Sequence, residues 1–434
     1  MFSAATMQQR AMYPRKIHVE ITTRCNLHCR MCVKHAQGSC ISEEDLPAAT
    51  FRRLAQALAH ADKLVLNGIG EPLLHPRLDE LLRFARKAMK VGGKIGFQSN
   101  GLLLDERRAE ALIKAGLSTI CLSLDRIKKV EDSAGEHQAE AVERAIAALD
   151  RARRTLQADL TIGLEMVLHR ETIADLPDMV EWAAGQKVDY LMATHLLLYD
   201  EISEKLDLFN PNPAEAIQLF QKHEERAASR GINLARHLPG YFRLSRQKED
   251  RQAAEIFAEM QVEARKQDVR LHLQSLVRHR ENTALPLGEL YKKAEAAAAR
   301  RGLELFLPAL EAQSGRSCIF MNDEATFVAA NGDVMPCHFL WHNYTCRVLQ
   351  EAVAVRKRTF GNIARQCLLL IWQSENYRQF RDEASRSQYA PCWTCSQGPC
   401  PTLVNDEDQY ANDCFGSRVP CGHCQWNLGG VRCM

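Results

Sequence analysis

Three cysteines crowd into one short stretch, ITTRCNLHCRMCVKH, at Cys25, Cys29 and Cys32, with gaps of three and then two residues. A structural zinc site asks for four ligands and usually takes them as CxxC pairs. The next thiol here, Cys40, lies a full loop away. A cubane iron–sulfur cluster has four irons, each suited to a thiolate. Three thiolates on one short loop hold three irons and leave the fourth open to a ligand that is not protein, as catalytic metal sites keep one position open. A second group of cysteines lies far along the chain: eleven of the sixteen fall between Cys318 and Cys433, and Cys121 alone lies between the two groups. Disulfides suit small secreted domains rather than a chain of 434 residues. Thiolate ligation of metal is the reading that the clustering favours.

The elements that must carry the trio show in the apolar runs. KIHVEI (16–21), KLVLN (63–67), KIGFQ (94–98), STICLSL (118–124), LTIGLEMVL (160–168) and VDYLMATHLLL (188–198) read as strands. Helical spacing separates them, as in PRLDELLRFARKAMK, where Leu78, Leu81, Leu82, Ala85 and Met89 share a face and VGG closes the helix. Strands alternating with helices predict an α/β fold with a parallel sheet. The trio follows strand one, NGIGEP (67–72) strand two and SNG (99–101) strand three, while SLD (123–125) closes strand four. Every unusual polar or glycine-rich stretch sits at a strand's C-terminal end. A barrel gathers those ends at one mouth, so the expectation is a partial, TIM-like (β/α)6 barrel.

At roughly 150 residues per domain the length predicts two or three domains, and we divide the chain into 1–199, 200–311 and 312–434. The middle part holds three loosely similar segments that read as helix followed by strand, AEAIQLFQKHEERAASRGINLARH, AEIFAEMQVEARKQDVRLHLQS and ELYKKAEAAAARRGLELFLPAL. They make a helical or α/β extension with solvated faces. The last part is cysteine-rich and loop-rich. A net charge of +2 implies neither a nucleic acid nor a membrane partner. The first residues carry no apolar core or cleavage pattern of a signal peptide, and no apolar run reaches membrane-spanning length. The expected compartment is the cytoplasm, and Cys121, within a strand, reads as a small buried hydrophobe.

CxxxCxxC after the first strand of a partial barrel resembles the radical S-adenosylmethionine (SAM) superfamily. The resemblance implies a [4Fe–4S] cluster on Cys25, Cys29 and Cys32, with SAM chelating the open iron through its amino and carboxylate groups. One electron then cleaves the sulfonium to methionine and a 5′-deoxyadenosyl radical, which abstracts hydrogen. The cofactor carries the chemistry and the protein aims it. GIGEP resembles the family's GGEP stretch, with Ile69 where the first glycine usually stands. This implies that Gly70, Glu71 and Pro72 hold the methionine amino group through backbone. By the same resemblance Met31 packs on adenine, while Ser99, Asn100, Ser123 and Asp125 meet ribose and carboxylate. Read alone, Gly70 and Pro72 make an ordinary turn, Asp125 a helix cap and His195 a core histidine.

The distal cysteines extend the resemblance. Cys318, Gly332 and Cys337 follow the C-x(9–15)-G-x4-C opening of the family's SPASM domain, which binds auxiliary iron–sulfur clusters, and FGNI (360–363) and IWQSENYRQFR (371–381) resemble its connecting segments. Cys392, Cys395 and Cys400 then depart from it. The family pattern puts five residues before the third cysteine, this chain puts four, and no cysteine follows at the family distance. Cys414 and a second knot, PCGHCQWNLGGVRC with Cys421, Cys424 and Cys433, replace that ending. Two four-iron clusters need up to eight thiolates, which this segment can supply. Cys346 and Cys367 match no motif and read as structural, and a zinc knuckle at Cys421 and Cys424 is an alternative.

The resemblance implies a maturase that oxidises or cross-links a peptide or protein, its auxiliary clusters taking up the electron left on the substrate and a flavodoxin or ferredoxin supplying reductant. One alternative is a dehydrogenase or epimerase acting on a small molecule, or a metal-cofactor maturation factor, since the CxxCxW tail is similar to SPASM proteins of tungsten oxidoreductase maturation. A non-catalytic electron carrier is the third, and intact GIGEP and Met31 argue against it.

Overall fold

The computed structural model describes residues 12–36, 39–127, 136–241, 248–282, 285–313, 315–395, 413–417 and 419–432. Six strands run parallel in chain order: β1 (Lys16–Val19), β2 (Lys63–Val65), β3 (Lys94–Ser99), β4 (Thr119–Ser123), β5 (Thr161–Leu168) and β6 (Tyr190–His195). Residue alternation along each strand sorts the two faces. Ile17, Val19, Leu64, Ile95, Phe97, Ile120, Leu122, Ile162 and Leu164 are buried in one apolar cluster with the helices outside. The intervening residues, among them His18, Gln98, Cys121, Ser123, Glu165 and Met192, therefore take the opposite face, toward the lumen. The helix Leu78–Ala88 buries the face read from its spacing and carries Asp79 and Glu80 in its first turn, where the helix dipole favours them.

The sheet continues beyond six strands at both edges. β7 (Glu304–Phe306) lies parallel to β6, with Met192 opposite Phe306. β8 (Ala325–Val328) lies parallel to β1, with Val19 opposite Val328, and β9 (Asp333–Met335) folds back antiparallel on β8. β10 (Tyr344–Val348) and β11 (Glu351–Val355) form a separate antiparallel hairpin, and β12 (Gly361–Asn362) returns to β9, completing a ten-stranded sheet. The C-terminal segment is thus joined to the barrel by main-chain pairing beside the strand that leads to Cys25. Gly332 turns the β8–β9 hairpin at φ +86°, a left-handed conformation that explains a glycine at this place in the motif.

The middle part corrects one expectation. Of the three segments read as helix then strand, only the last has that form: Leu287–Arg301 is a helix and LELF leads into β7. The stretches INLARH and VRLHLQS enter the helices Leu234–Tyr241 and Leu273–Asn282 instead. Leu273, Leu276 and Val277 join Leu219, Phe220 and Phe257 in a core of their own, so tertiary packing at helical spacing overrides the strand-like alternation. Among the described residues no helix is long and apolar enough to cross a membrane.

Candidate iron–sulfur and cofactor site

The loop after β1 presents Cys25, Cys29 and Cys32 together. A turn closed by the Cys32 amide on the Cys29 carbonyl, 3.0 Å, brings the last two close. The Cys25 sulfur accepts the Leu27 amide at 3.4 Å. Cys25 and Cys32 are half-buried free thiols and Cys29 is an exposed one. Desolvation, then the charges of Cys32 and Cys25, then Asp125, push the Cys29 thiol up to about 11, so the three sulfurs and the Asp125 carboxylate share one environment. Met31 sits half-buried within the trio.

The loop is sewn to its neighbours by the residues of the other strand ends. The Glu71 amide donates to the Arg24 carbonyl at 2.8 Å, and Arg24 pairs with Asp45 and donates to the Leu74 carbonyl. Gly70 lies so close to this loop that a Cβ would come within 2.3 Å of the Thr22 carbonyl oxygen and 2.7 Å of that of Arg24. Only glycine permits the contact. The buried Glu71 carboxylate accepts from Ser99 Oγ at 2.9 Å, the Asn100 amide at 2.8 Å and the Leu73 amide at 3.0 Å. Pro72 opens the 3-10 turn that Glu71 caps. Asn100 Nδ2 donates to Asn26 Oδ1 at 2.8 Å, closing the ring of loops back onto the trio. Asp125 accepts the Val167 amide at 2.8 Å, binding the end of β4 to β5. Ser123 Oγ accepts from Gln98 Nε2 at 3.0 Å.

Sequence reasoning missed several lumen residues. Gln98 also donates to the buried Glu165 carboxylate. Burial and then the charge of Asp125 push Glu165 up to about 8, and Asp125 itself is pushed up to about 6, chiefly by desolvation. Glu20, 1 % exposed, accepts the Ile69 amide at 3.0 Å, the Ala330 amide at 3.3 Å and His342 Nε2 at 3.1 Å, so one carboxylate holds the β2 loop and the C-terminal segment together. His18 contacts Asn67 Oδ1 at 3.1 Å and packs edge-on against His338, with ring centroids 4.7 Å apart. Two of these residues carried a signal: His18 and Glu20 are polar at alternate positions of an otherwise apolar strand. Their partners lie tens to hundreds of residues away, and no local pattern names those. His195 packs as a core histidine, its Nε2 2.9 Å from the Ala309 carbonyl, and Cys121 is buried with Val65 and Met192.

In the C-terminal segment Cys318 precedes the short helix Ile319–Asn322, Cys337 follows β9, Cys421 lies within the turn Pro420–His423 and Cys424 follows it. Cys392 and Cys395 flank the turn Cys392–Thr394, which packs on that of Cys421. Cys414 is exposed, and Cys400 and Cys433 lie outside the described residues. Cys346 is buried on β10, and Cys367 Sγ donates to Gln56 Oε1 at 3.1 Å. Among the described residues no three His, Cys, Asp or Glu side chains converge on a single-ion site. The donor chemistry, soft sulfur grouped in threes and fours, fits iron–sulfur clusters.

A parallel barrel with thiols at its mouth and a cysteine-rich segment paired to its first strand defines an enzyme class that works at iron–sulfur clusters. Comparison with known proteins places it. Residues 19–183 match the profile of the radical SAM superfamily, and residues 318–396 match that of its iron–sulfur cluster-binding domain, SPASM. The chain belongs to the radical SAM superfamily, in its SPASM-containing subgroup, and it is an enzyme that uses [4Fe–4S] clusters and SAM. It is 24% identical over 423 residues to the tungsten-containing aldehyde ferredoxin oxidoreductase cofactor-modifying protein of Pyrococcus furiosus, covering 96% of each chain. It is 28% identical over 231 residues to the PqqA peptide cyclase of Gluconobacter oxydans, covering 52% of this chain and 62% of that one. Streptococcus suis SuiB shares the fold, with a TM-score of 0.51, 14% identity, and coverage of 95% of this chain and 80% of that one.

Proposed function

We propose that this chain is a maturase that removes hydrogen from a peptide or protein substrate and passes the electron left behind to auxiliary clusters in its C-terminal segment, with a flavodoxin or ferredoxin as reductant. When bound, the trio's cluster and SAM supply the 5′-deoxyadenosyl radical that abstracts the hydrogen. The observation that carries this reading is the ring of loops around Cys25, Cys29 and Cys32. The Glu71 amide and the glycine contact of Gly70 fix the trio loop, the Glu71 carboxylate fixes Ser99 and Asn100, and Asn100 returns to Asn26. Such rigidity suits a site that must hold a reactive fragment within reach of one hydrogen. In this reading Cys25, Cys29 and Cys32 hold the cluster. Met31, Gly70, Pro72, Ser99, Asn100, Ser123 and Asp125 line the SAM site, and Glu71 positions the loops. Cys318, Cys337, Cys392, Cys395, Cys400, Cys414, Cys421, Cys424 and Cys433 are the pool from which two auxiliary clusters draw ligands. The barrel spans 1–199, the extension 200–311, which lends β7 to the sheet, and the cluster segment 312–434.

The lumen supports a polar substrate. His18 Nε2, His338 Nε2 and Trp341 Nε1 are buried in one ring cluster without a hydrogen-bond partner among the described residues, and such atoms are costly unless something polar meets them. A second reading takes the substrate to be the cofactor of a tungsten-dependent oxidoreductase, and the relative that matches along nearly the whole of both chains favours it. An anaerobic assay of 5′-deoxyadenosine, run with deuterated protein candidates and separately with a deuterated tungstopterin, separates the two. Deuterium carried into 5′-deoxyadenosine from protein supports the first reading. Transfer only from the pterin compound overturns it in favour of the second.

A further inference from the structure

We infer that Cys421 and Cys424 join Cys318 and Cys337 as a closed four-thiolate set around one auxiliary cluster, in place of the ending that the SPASM pattern would supply. The inference rests on the reading above that the C-terminal segment holds clusters. Its first support is the path of the tail. The Ser317 amide donates to the Asn427 carbonyl at 3.3 Å and the Gln313 amide to the Leu428 carbonyl at 3.1 Å, laying the residues just after Cys424 along those just before Cys318. Asn427 Nδ2 donates to Tyr389 Oη at 3.0 Å and to the Cys421 carbonyl, so one buried side chain fixes the turn from within.

The second support is the sulfurs themselves. Cys421 lies within electrostatic reach of Cys318, Cys424 and Cys337, and Cys424 within reach of Cys337 and Cys318. Main-chain amides already point at two of them: those of Met321 and Phe320 at the Cys318 sulfur, and those of Trp426 and Asn427 at the Cys424 sulfur. Amide donors stabilise a thiolate, and such contacts accompany sulfurs that ligate metal. Cys337 and Cys424 belong to one apolar cluster with Phe320, Phe339 and Trp426, and Cys318 and Cys421 pack against it, which limits water.

The consequence is functional. A cluster with a thiolate on every iron has no position for substrate. Such a cluster would accept one electron from the substrate radical and give it up to the oxidised form of the carrier protein, and it would form no iron–substrate bond. The auxiliary centre nearest β1 is thus an electron relay and not a substrate anchor.

The test uses the full chain with Cys25, Cys29 and Cys32 replaced by alanine, reconstituted anaerobically, so that electron paramagnetic resonance reports the auxiliary clusters alone. Ferricyanide oxidation converts clusters with an open iron to three-iron forms, and cyanide shifts their spectra. Cys421→Ala and Cys424→Ala should each add one three-iron signal per chain and a cyanide-sensitive component absent from the parent. Cys421→Ser, which keeps an oxygen donor, should retain iron with altered g-values if the alanine variant is poorly soluble. The inference is overturned if both alanine variants match the parent in iron content and spectrum while Cys392→Ala changes them. It is overturned equally if metal analysis finds zinc that disappears with Cys421. The wild type's spectral response to SAM checks the catalytic reading separately, and it does not depend on Cys421.

Discussion

Gly70 and Glu165 show how much a single position decides. A methyl group at Gly70 would meet main-chain oxygens of Thr22 and Arg24, not a side chain that could swing aside. Gly70→Ala should therefore displace the trio loop, destabilise the protein by ~2–4 kcal/mol and weaken SAM binding at least tenfold, as denaturant titration and calorimetry would show. Glu165 faces Asp125 from the end of β4, Gln98 from β3, Cys121 from β4 and Tyr190 from β6. Its folded-state pKa of about 8 stands above the ordinary value of 4.5, so the folded protein holds a proton that the unfolded chain has lost between those values. Stability from this group is full below pH 4.5 and falls as pH rises toward 8. Glu165→Gln should remove that slope and gain on the order of a few kcal/mol relative to wild type at pH 8. Melting temperatures measured across the interval would contradict this if the two proteins kept a constant difference.

Among the elements, β1 joins the barrel to the C-terminal segment, since it carries the trio loop at its end, β2 on one side and β8 on the other. Glu20 at its C-terminal end binds the β2 loop through Ile69 and the C-terminal segment through Ala330 and His342. Glu20→Ala leaves two buried amides and one imidazole without their acceptor and should cost ~3–5 kcal/mol, against ~1–2 kcal/mol for His342→Ala. A double-mutant cycle should return a coupling above about 0.5 kcal/mol, and additivity would show that the two segments are not joined there. The elements themselves were legible in the sequence to differing degrees. The six barrel strands announced themselves as apolar runs and the helix from Leu78 by its spacing, because each is held in one continuous core. VRLHLQS did not, because its alternation is too short to outweigh a neighbouring helical core. β8 and β9 were too short for a pattern to show that they extend the barrel sheet. The trio, GIGEP and SNG were legible because chemistry fixes their spacing along the chain. Glu20 with His342 and Gln98 with Glu165 were not, because folding alone brings them together, and the distal thiols were legible as a pool of ligands but not cluster by cluster.

Across the whole molecule the clusters should be part of the fold as well as of the chemistry. Cys337 and Cys424 lie inside one apolar cluster although far apart in the chain, and an iron–sulfur cluster bound there would cross-link distant segments. Removing iron by chelation should lower the melting temperature, and the loss should centre on the C-terminal segment in hydrogen exchange. Three filled clusters correspond to about twelve irons per chain. The most direct test of the central claim is 5′-deoxyadenosine formation by the anaerobically reconstituted, reduced protein with SAM, compared with Cys29→Ala. The account predicts product from the wild type and none above background from the variant; equal product from both would contradict it.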